Sequence, residues 1–134
     1  MPAGYSETPL AKKLNLRDDQ RVWFHAMPES VQDEIGEYAL DLIFVADPAE
    51  GIDAAHIFVT TREELSSLLA TLRNQIATDG HIWVSWPKQA SKVPTDVTQD
   101  TIREVALPTG LVDTKVCAVD ETWSGLKLVI RKDL

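Results

Sequence analysis

Hydrophobic residues along this chain have two kinds of spacing, continuous runs and helical stripes. LDLIFVAD (40–47), AHIFVTT (55–61) and HIWVSW (81–86) are apolar almost throughout, which is typical of strands covered on both faces of a sheet. RVWFHA (21–26) is rich in residues that suit a pleated strand. These runs predict a sheet whose strands are mostly buried.

Two short helices are predicted in the first third of the chain. Thr8 offers an N-cap hydroxyl and Pro9 a first helical position before LAKKLNL (10–16), a combination that starts a helix well. Pro28 opens the second helix, and Gly36 is its predicted end because glycine favours the position after a helix.

A longer helix is predicted after Thr61. Thr61 and Glu64 match the capping-box pattern. The apolar stripe of this helix consists of Leu65, Leu68, Leu69, Leu72 and Ile76. A further helix is predicted over 98–107, and Pro108–Gly110 should end it.

A turn and a terminal hairpin complete the pattern. Asp79-Gly80 predicts a turn before the strand at 81–86. LVDTKVCAVDE (111–121), the turn TWSG (122–125) and LKLVIRK (126–132) predict a β-hairpin, because apolar and polar residues alternate in its last strand.

Strands that alternate with helices predict an α/β fold in a single domain over 1–134. We expect three layers, with helices on both faces of a mainly parallel sheet and an antiparallel hairpin at its end. This order is typical of a methyltransferase-like Rossmann sheet in reduced form. In such a sheet, ligands bind at the carboxyl ends of the strands.

Composition and charge narrow the function classes. The chain has 134 residues and a net charge of −8, from 21 acids and 13 bases, so a nucleic acid or an anionic membrane is a disfavoured partner. The single cysteine excludes an internal disulfide. MPAGYSETPL (1–10) is not a secretory signal, and no apolar run approaches the ~20 residues of a membrane span. We expect a soluble, cytoplasmic protein.

The turn after the first strand lacks the composition of a cofactor site. Such a site needs close backbone approach, which glycines permit. HAMPES (25–30) has no glycine, and Pro28 removes a backbone donor. Asp47 follows the second strand, where an acid would hold a ribose, but DPAEGID (47–53) is short for a parallel crossover. We therefore expect no cofactor bound in the usual manner.

The loops SWPKQASKVPTD (85–96) and DETWSG (120–125) hold the unusual side chains. Both loops should follow strands that end at the carboxyl edge of the sheet, which would make them spatial neighbours. The candidate ligand-binding residues are Trp86, Lys88, Lys92, Asp96, Asp120, Glu121, Trp123 and Ser124. Lysines for charge, indoles for stacking and acids that orient the lysines suit a small polar or anionic ligand.

A purely structural interpretation of these loops stays open. The prolines would stiffen the loop, and Lys88 or Lys92 would pair with Asp120 or Glu121 to hold the hairpin. The two tryptophans would pack with their N–H groups bonded to the backbone, and Thr95 or Thr98 would be an ordinary N-cap.

The remaining reactive side chains do not predict a site. The three histidines lie in or beside strands without a second ligand at helical spacing, so we expect no metal. Cys117 lies on a predicted strand and is expected to be a buried, inert thiol. Asp120 and Glu121 are adjacent, which on a strand would point them to opposite faces.

Four blocks of the sequence carry a family resemblance. They are GYSETPLAKKL (4–14), FVTTREEL (58–65), WVSWPKQASKVPTD (83–96) and VDTKVCAVDETWSGLK (112–127). Together they resemble a bacterial domain-of-unknown-function family, number 3052, over nearly the whole chain. The resemblance implies small stand-alone proteins with no assigned reaction and no known cofactor.

Two functions fit these observations. The first is a non-catalytic binding or interaction module that recognises a small ligand or a protein partner through the loops 85–96 and 120–125. The alternative is an enzyme, either a divergent S-adenosylmethionine-dependent methyltransferase or another small-molecule enzyme that uses Lys88 with Asp96 or Glu121. The missing glycine turn favours the first.

Overall fold

The computed structural model describes residues 8–132. Its helices are α1 (Leu10–Lys13), α2 (Glu29–Gly36), α3 (Arg62–Leu72) and α4 (Gln99–Ala106). Its strands are β1 (Arg21–His25), β2 (Ile43–Phe44), β3 (Ile52–Phe58), β4 (Ile76–Pro87), β5 (Leu111–Ala118) and β6 (Trp123–Ile130). The expectation that the N-terminus is not a secretory signal concerns mainly residues 1–7, which lie outside the described residues.

The six strands form one sheet in the order β2-β1-β3-β4-β6-β5. β1 to β4 run parallel to one another, and β6 runs antiparallel between β4 and β5. The predicted fold class, a mainly parallel sheet that ends in an antiparallel hairpin, is therefore confirmed.

Helices pack on both faces of the sheet because apolar side chains of the central strands alternate between the faces. Ile82 and Val84 of β4 join a core cluster under α3 and α4. Trp83, between them, joins a second cluster under α1 and α2. We call these the α3–α4 face and the α1–α2 face.

The helix starts follow the capping chemistry read from the sequence. The Thr61 hydroxyl accepts a hydrogen bond from the N–H of Glu64, and the Thr98 hydroxyl accepts one from the N–H of Thr101. Thr98 therefore is the N-cap of α4. α1 begins one residue later than predicted, with Pro9 at the N-cap position.

The segment 40–47 was predicted as a covered strand, and this prediction is wrong. Only Ile43–Phe44 forms a strand, and the two residues are 45% and 58% exposed. β2 is the edge strand of the sheet and pairs with β1 alone. An apolar run cannot distinguish a buried strand from an edge strand, because the difference depends on which neighbours the sheet supplies.

The link from β2 to β3 can be short because β2 ends near the edge of the sheet at which the parallel strands begin. Phe44 and Ala54 both pair with Val22 of β1, so β2 ends close to the level at which β3 begins. A 3-10 turn over Pro48–Glu50 makes the connection, and the Arg21 guanidinium donates hydrogen bonds to carbonyls at its end.

Asp79 and Gly80 lie inside β4 and do not form the predicted turn. Ile76 and His81 of β4 pair with β3 residues that are only two positions apart, so β4 has an irregular excursion between them. Ile76 was predicted on the helical stripe of α3 and instead starts this strand, since α3 ends at Leu72.

The excursion in β4 depends on Gly80. A Cβ atom at this position would overlap the Asp53 carbonyl oxygen and lie 2.8 Å from Cγ1 of Ile76. Gly80→Ala is therefore expected to lower the free energy of unfolding by about 1–3 kcal/mol, measured by urea denaturation.

Gly36→Ala is the matched control, because a Cβ atom there meets nothing within 4 Å. Gly36 ends α2, and alanine should raise the free energy of unfolding by up to about 1 kcal/mol. If Gly80→Ala is as stable as the unchanged protein, the close approach to β3 does not exist in solution.

The hairpin turn lies earlier than TWSG, so that prediction is wrong in its position. β5 ends at Ala118, and Trp123 already belongs to β6. The Asp120 carboxylate accepts hydrogen bonds from the N–H groups of Thr122 and Trp123, at 2.8 and 2.7 Å. This side chain supplies the turn's hydrogen bonds, whereas Gly125 lies within the strand.

Candidate functional site

Strand order reverses between β1 and β3. β1 connects through α2 to β2 on one side, and β3 connects through α3 to β4 on the other. In open α/β sheets such a reversal leaves a crevice at the carboxyl ends, where ligands bind. These strands end at His25 and Phe58, so the residues that follow them surround the expected ligand position.

His25 and Glu64 meet at this expected ligand position. Nε2 of His25 lies 3.1 Å from Oε2 of Glu64, and the side chains are 30% and 38% exposed. His25 is the last residue of β1, and Glu64 lies in the first turn of α3. The predicted capping box is only half formed, because the Glu64 carboxylate contacts His25.

The two loops predicted as neighbours do meet at the carboxyl edge. The N–H of Lys88 donates to the carbonyl of Thr122 at 2.7 Å. Nζ of Lys88 donates to the carbonyl of Asp120 at 2.6 Å. Lys88 thus fastens the chain after β4 to the hairpin turn, using backbone carbonyls and not the carboxylates proposed for this role.

The other end of the same loop is hydrogen-bonded to the residues that follow β3. The Thr95 hydroxyl and the Asp96 N–H both donate to the carbonyl of Thr60. The Asp96 carboxylate accepts a 2.7 Å hydrogen bond from the N–H of Arg62, the first residue of α3. Residues 88–96, here called the edge segment, therefore run from the hairpin to the crevice between β1 and β3.

The two candidate tryptophans lie on opposite faces of the sheet. Trp86 packs against the core of the α3–α4 face. Trp123 packs on the α1–α2 face, edge-on to Phe58 with ring centroids 5.0 Å apart. They cannot stack on the same small ligand, so the sequence-based cluster divides between the two faces.

The other candidate residues are placed separately. Lys92 ends a 3-10 turn in the left-handed conformation, at φ +60°. Ser124 pairs with Trp86 and with Ala118 in the β-ladder. Glu121 is exposed in the hairpin turn. The side chains of Lys92 and Glu121 are both exposed, and neither has a hydrogen bond described above.

The turn after β1 is built without glycine. Ala26 takes a left-handed conformation at φ +55°, which is unfavourable for an L-residue with a Cβ. Pro28, which has no N–H, is the N-cap residue of α2. Asp47 does not reach this edge, because its carboxylate accepts the N–H of Ala49 in the 3-10 turn before β3.

Two histidines are buried beneath the site, on the α1–α2 face. Burial lowers the pKa of His56 to about 3, with a smaller contribution from His81. Nε2 of His56 lies 2.6 Å from the Ser85 hydroxyl. Burial, and next the charge of Lys127, lower the pKa of His81 to about 4. Both rings are therefore neutral at neutral pH.

Other reactive groups give no site in the described part of the chain. Burial raises the pKa of the Cys117 thiol, so it is mostly protonated at neutral pH. Over residues 8–132, no group of three or more His, Cys, Asp or Glu side chains could hold a metal ion. Within the same residues, the helices are too short and too polar for any of them to cross a bilayer.

His25 and Glu64 are the residues that sequence reasoning missed. His25 was treated as a lone strand histidine and Glu64 as a capping residue. The available signal was their position, since His25 ends one strand and Glu64 lies in the first turn of the helix that follows another. Only the adjacency of β1 and β3, which depends on sheet order, brings them together.

Solved structures with a similar fold include methyltransferases. The ribosomal protein L11 methylase of Lactobacillus delbrueckii subsp. bulgaricus is 12% identical, with a TM-score of 0.57 over 91% of this chain and 77% of that one. The magnesium protoporphyrin IX methyltransferase of Synechocystis PCC 6803 with bound SAH is 14% identical, with a TM-score of 0.57 over 90% and 74%.

Aeropyrum pernix fibrillarin, a structure with natively bound S-adenosyl-L-methionine, is 12% identical, with a TM-score of 0.54 over 94% of this chain and 70% of that one. At such identities the likeness shows a shared fold. The residues of this chain do not fit that cofactor in the manner usual for nucleotide-binding Rossmann sheets, because the turn after β1 has a bulky Met27 and lacks the Pro28 donor, and Asp47 is engaged elsewhere.

A sequence comparison gives the family. No curated protein sequence matches this chain. A family model described as "Protein of unknown function (DUF3052)" matches residues 11–132. The match covers nine-tenths of the chain and agrees with the resemblance in the four sequence blocks. The chain belongs to the DUF3052 family and has a methyltransferase-like α/β fold.

Proposed function

We propose that this protein is a binding module without methyl-transfer activity, which takes a small polar ligand at the carboxyl edge of the sheet. The ligand lies over the crevice between β1 and β3, beside the His25–Glu64 pair. The edge segment forms the neighbouring wall, with Lys92, and the hairpin turn with Glu121 lies further along the same edge.

One observation carries this proposal. The carboxyl edge between β1 and β3, which is the ligand position of this architecture, holds a partly exposed histidine and carboxylate 3.1 Å apart. The turn beside it lacks the glycines that admit a nucleotide cofactor. At this position a ligand would therefore contact polar side chains and not backbone N–H groups.

The chemistry of the pair defines the class of ligand. An imidazole offers a donor or an acceptor according to its tautomer, and an ionised carboxylate only accepts. A ligand with hydroxyl or amine groups would complete both sets of hydrogen bonds. Because both side chains are partly exposed, such a ligand would displace water and need no opening of the core.

A second candidate function is favoured by the structural comparisons. Methyltransferases share the fold, and one such relative holds bound S-adenosyl-L-methionine. A divergent methyltransferase would have to bind the cofactor by contacts other than the usual turn. The experiment below includes the methyl donor for this reason.

The test is a titration of isotope-labelled protein, followed by NMR, with a panel of amino acids, sugars, nucleosides and S-adenosylmethionine. For any binder, His25→Gln and Glu64→Gln are expected to weaken the affinity at least about tenfold, since each removes a polar partner of the ligand. Both sites are partly exposed, so stability should change by less than about 0.5 kcal/mol.

Glu104→Gln is the matched control. Glu104 forms a 2.8 Å exposed ion pair with Arg62 between α4 and α3, so its removal tests the loss of a surface carboxylate alone. Binding should be unchanged in this variant. Binding that the His25 and Glu64 variants leave intact, or methyl transfer to any acceptor, would refute the proposal.

A further inference from the structure

Basic side chains gather on the α1–α2 face, although the protein carries a net charge of −8. Lys127 of β6 lies directly opposite Lys115 of β5 in the antiparallel ladder. Lys13, at the end of α1, donates to the carbonyl of Ala118 near the end of β5. Like charges in a directly opposed pair destabilise a sheet, so this arrangement requires an explanation.

A β-bulge creates the opposed lysines. Asp113 pairs with Leu128, and the next pair is Lys115 with Lys127, so Thr114 is an extra residue in β5. In a regular ladder Thr114 would face Lys127. Bulges often redirect a side chain beside a functional site, and this bulge places an ammonium group next to another.

Acidic groups do not offset these charges within the described residues. The Lys115 ammonium donates to the carbonyl of Lys13 at 3.0 Å. The Asp113 carboxylate is engaged by Arg103 at 3.1 Å. In residues 8–132 no carboxylate lies within ion-pair distance of Lys127 or Lys115. Burial, and next the charges of Lys115 and Arg17, lower the pKa of Lys127.

A buried histidine beside the lysines has a backbone hydrogen bond with Leu14 but leaves one ring nitrogen without a partner. His81 is 5% exposed, and its Nε2 atom is buried without a partner in the described structure. Trp83 pairs with Lys127 across the β4–β6 ladder. His81 lies two residues before Trp83, which makes it the diagonal neighbour of Lys127 on the same face.

We propose that Lys127 and Lys115 form a binding site for an oxyanion of the phosphate class. The ammonium groups supply the charge, and the anion gives Lys127 and Lys115 the acidic partner that they lack. The neutral His81 imidazole, which also has a backbone hydrogen bond with Leu14, borders the site. Lys13 and Arg17 lie at the margin of the site. Arg17 also borders an acidic cleft with Asp53 and Asp79, so its charge does not belong to this site alone. Lys127 is therefore the residue to replace in a test of the site.

This site is separate from the carboxyl edge. Lys127 pairs with Trp83 in the middle of β4, whereas the edge loops begin after Pro87. The inference therefore does not depend on the proposed ligand at His25 and Glu64. His25→Gln should leave oxyanion binding unchanged, which keeps the two tests distinguishable.

The test is an NMR titration with inorganic phosphate, methyl phosphate and acetate at constant ionic strength. Phosphate should bind at least about tenfold more tightly than acetate, because two ammonium groups favour a dianion. Lys127→Gln should weaken phosphate binding at least about tenfold. A stronger response to methyl phosphate assigns the site to a phosphate monoester, and a stronger response to phosphate assigns it to the free ion.

Lys12→Gln is the charge-matched control, since Lys12 is an exposed residue of α1 and its loss should change affinity by less than about twofold. Lys127→Gln should also raise the melting temperature in phosphate-free buffer, because it removes a like-charge pair. The proposal is overturned if both variants weaken phosphate binding equally, or if phosphate binds no better than acetate, because either result indicates diffuse charge alone.

Discussion

Replacing Trp83 with alanine is expected to lower the free energy of unfolding by about 3–5 kcal/mol. Trp83 is 1% exposed and lies at the centre of the α1–α2 face. Its Nε1–H donates a 2.9 Å hydrogen bond to the carbonyl of Leu14, just after α1. The substitution removes the largest buried side chain and also leaves that carbonyl without its donor.

Trp83→Phe separates these two contributions. The phenyl ring keeps much of the packing but cannot donate, so a loss of about 1–3 kcal/mol is expected from the orphaned carbonyl of Leu14. Trp123→Phe is the matched control, because Trp123 is only half-buried on the same face. If chemical denaturation finds Trp83→Phe as stable as the unchanged protein, α1 is not anchored through this indole.

Acid is expected to destabilise the protein well above the range in which carboxylates titrate. His56 and His81 have folded-state pKa values of about 3 and about 4, against 6.5 for the unfolded chain. Because the pKa is lower in the folded state, there is a pH range in which the unfolded state binds protons and the folded state does not. Stability is therefore fully present above pH 6.5 and falls as the pH drops towards 4.

Each histidine contributes a slope of up to about 1.4 kcal/mol per pH unit in this window. Urea denaturation between about pH 5.0 and 6.5 should show a combined slope approaching about 2.7 kcal/mol per unit. His56→Gln is expected to halve that slope, whatever it does to stability at neutral pH. A flat profile in this window would show that the two imidazoles are protonated in the folded protein.

The features of the fold that depend on residues close together in the sequence were predicted correctly. Thr61 and Thr98 cap helices as expected, because capping involves only neighbouring residues. Parallel strands joined by helices predicted the carboxyl edge and the loops that meet there. The hydrogen bond from Lys88 to Thr122 confirms that meeting.

The wrong predictions concern pairing between distant segments. Ile43–Phe44 is an exposed edge strand because the sheet supplies no further neighbour. Asp79-Gly80 predicts a turn, but the pairing of Ile76 and His81 with β3 on either side keeps these residues within β4. Pairing also separates two candidate residues whose ligand-binding role stays a prediction. Trp86 and Trp123 lie on opposite faces because the register decides which way each indole points.

The contact between His25 and Glu64 also depends on distant pairing. The residues are 39 positions apart in the sequence. They meet only because β1 and β3 are neighbours in the sheet. The same pairing places the Thr95–Asp96 end of the edge segment near the crevice, through its hydrogen bonds to Thr60.

The shared methyltransferase-like fold therefore does not settle the chemistry at this edge. The fold fixes where a ligand can lie, and the side chains there decide what it can be. Here the glycine turn is replaced by Ala26, Met27 and Pro28, and the crevice holds a histidine and a carboxylate. The proposed function therefore requires that this position binds a polar ligand other than S-adenosylmethionine.

Isothermal titration calorimetry with S-adenosylmethionine and S-adenosylhomocysteine tests that claim most directly. No saturable binding of either compound is expected up to about 1 mM, and the NMR signals of residues 25–30 should stay unchanged. Saturable binding in the micromolar range, about 8 kcal/mol of affinity, together with shifts of those signals, would contradict it and make the protein a cofactor-binding member of its fold.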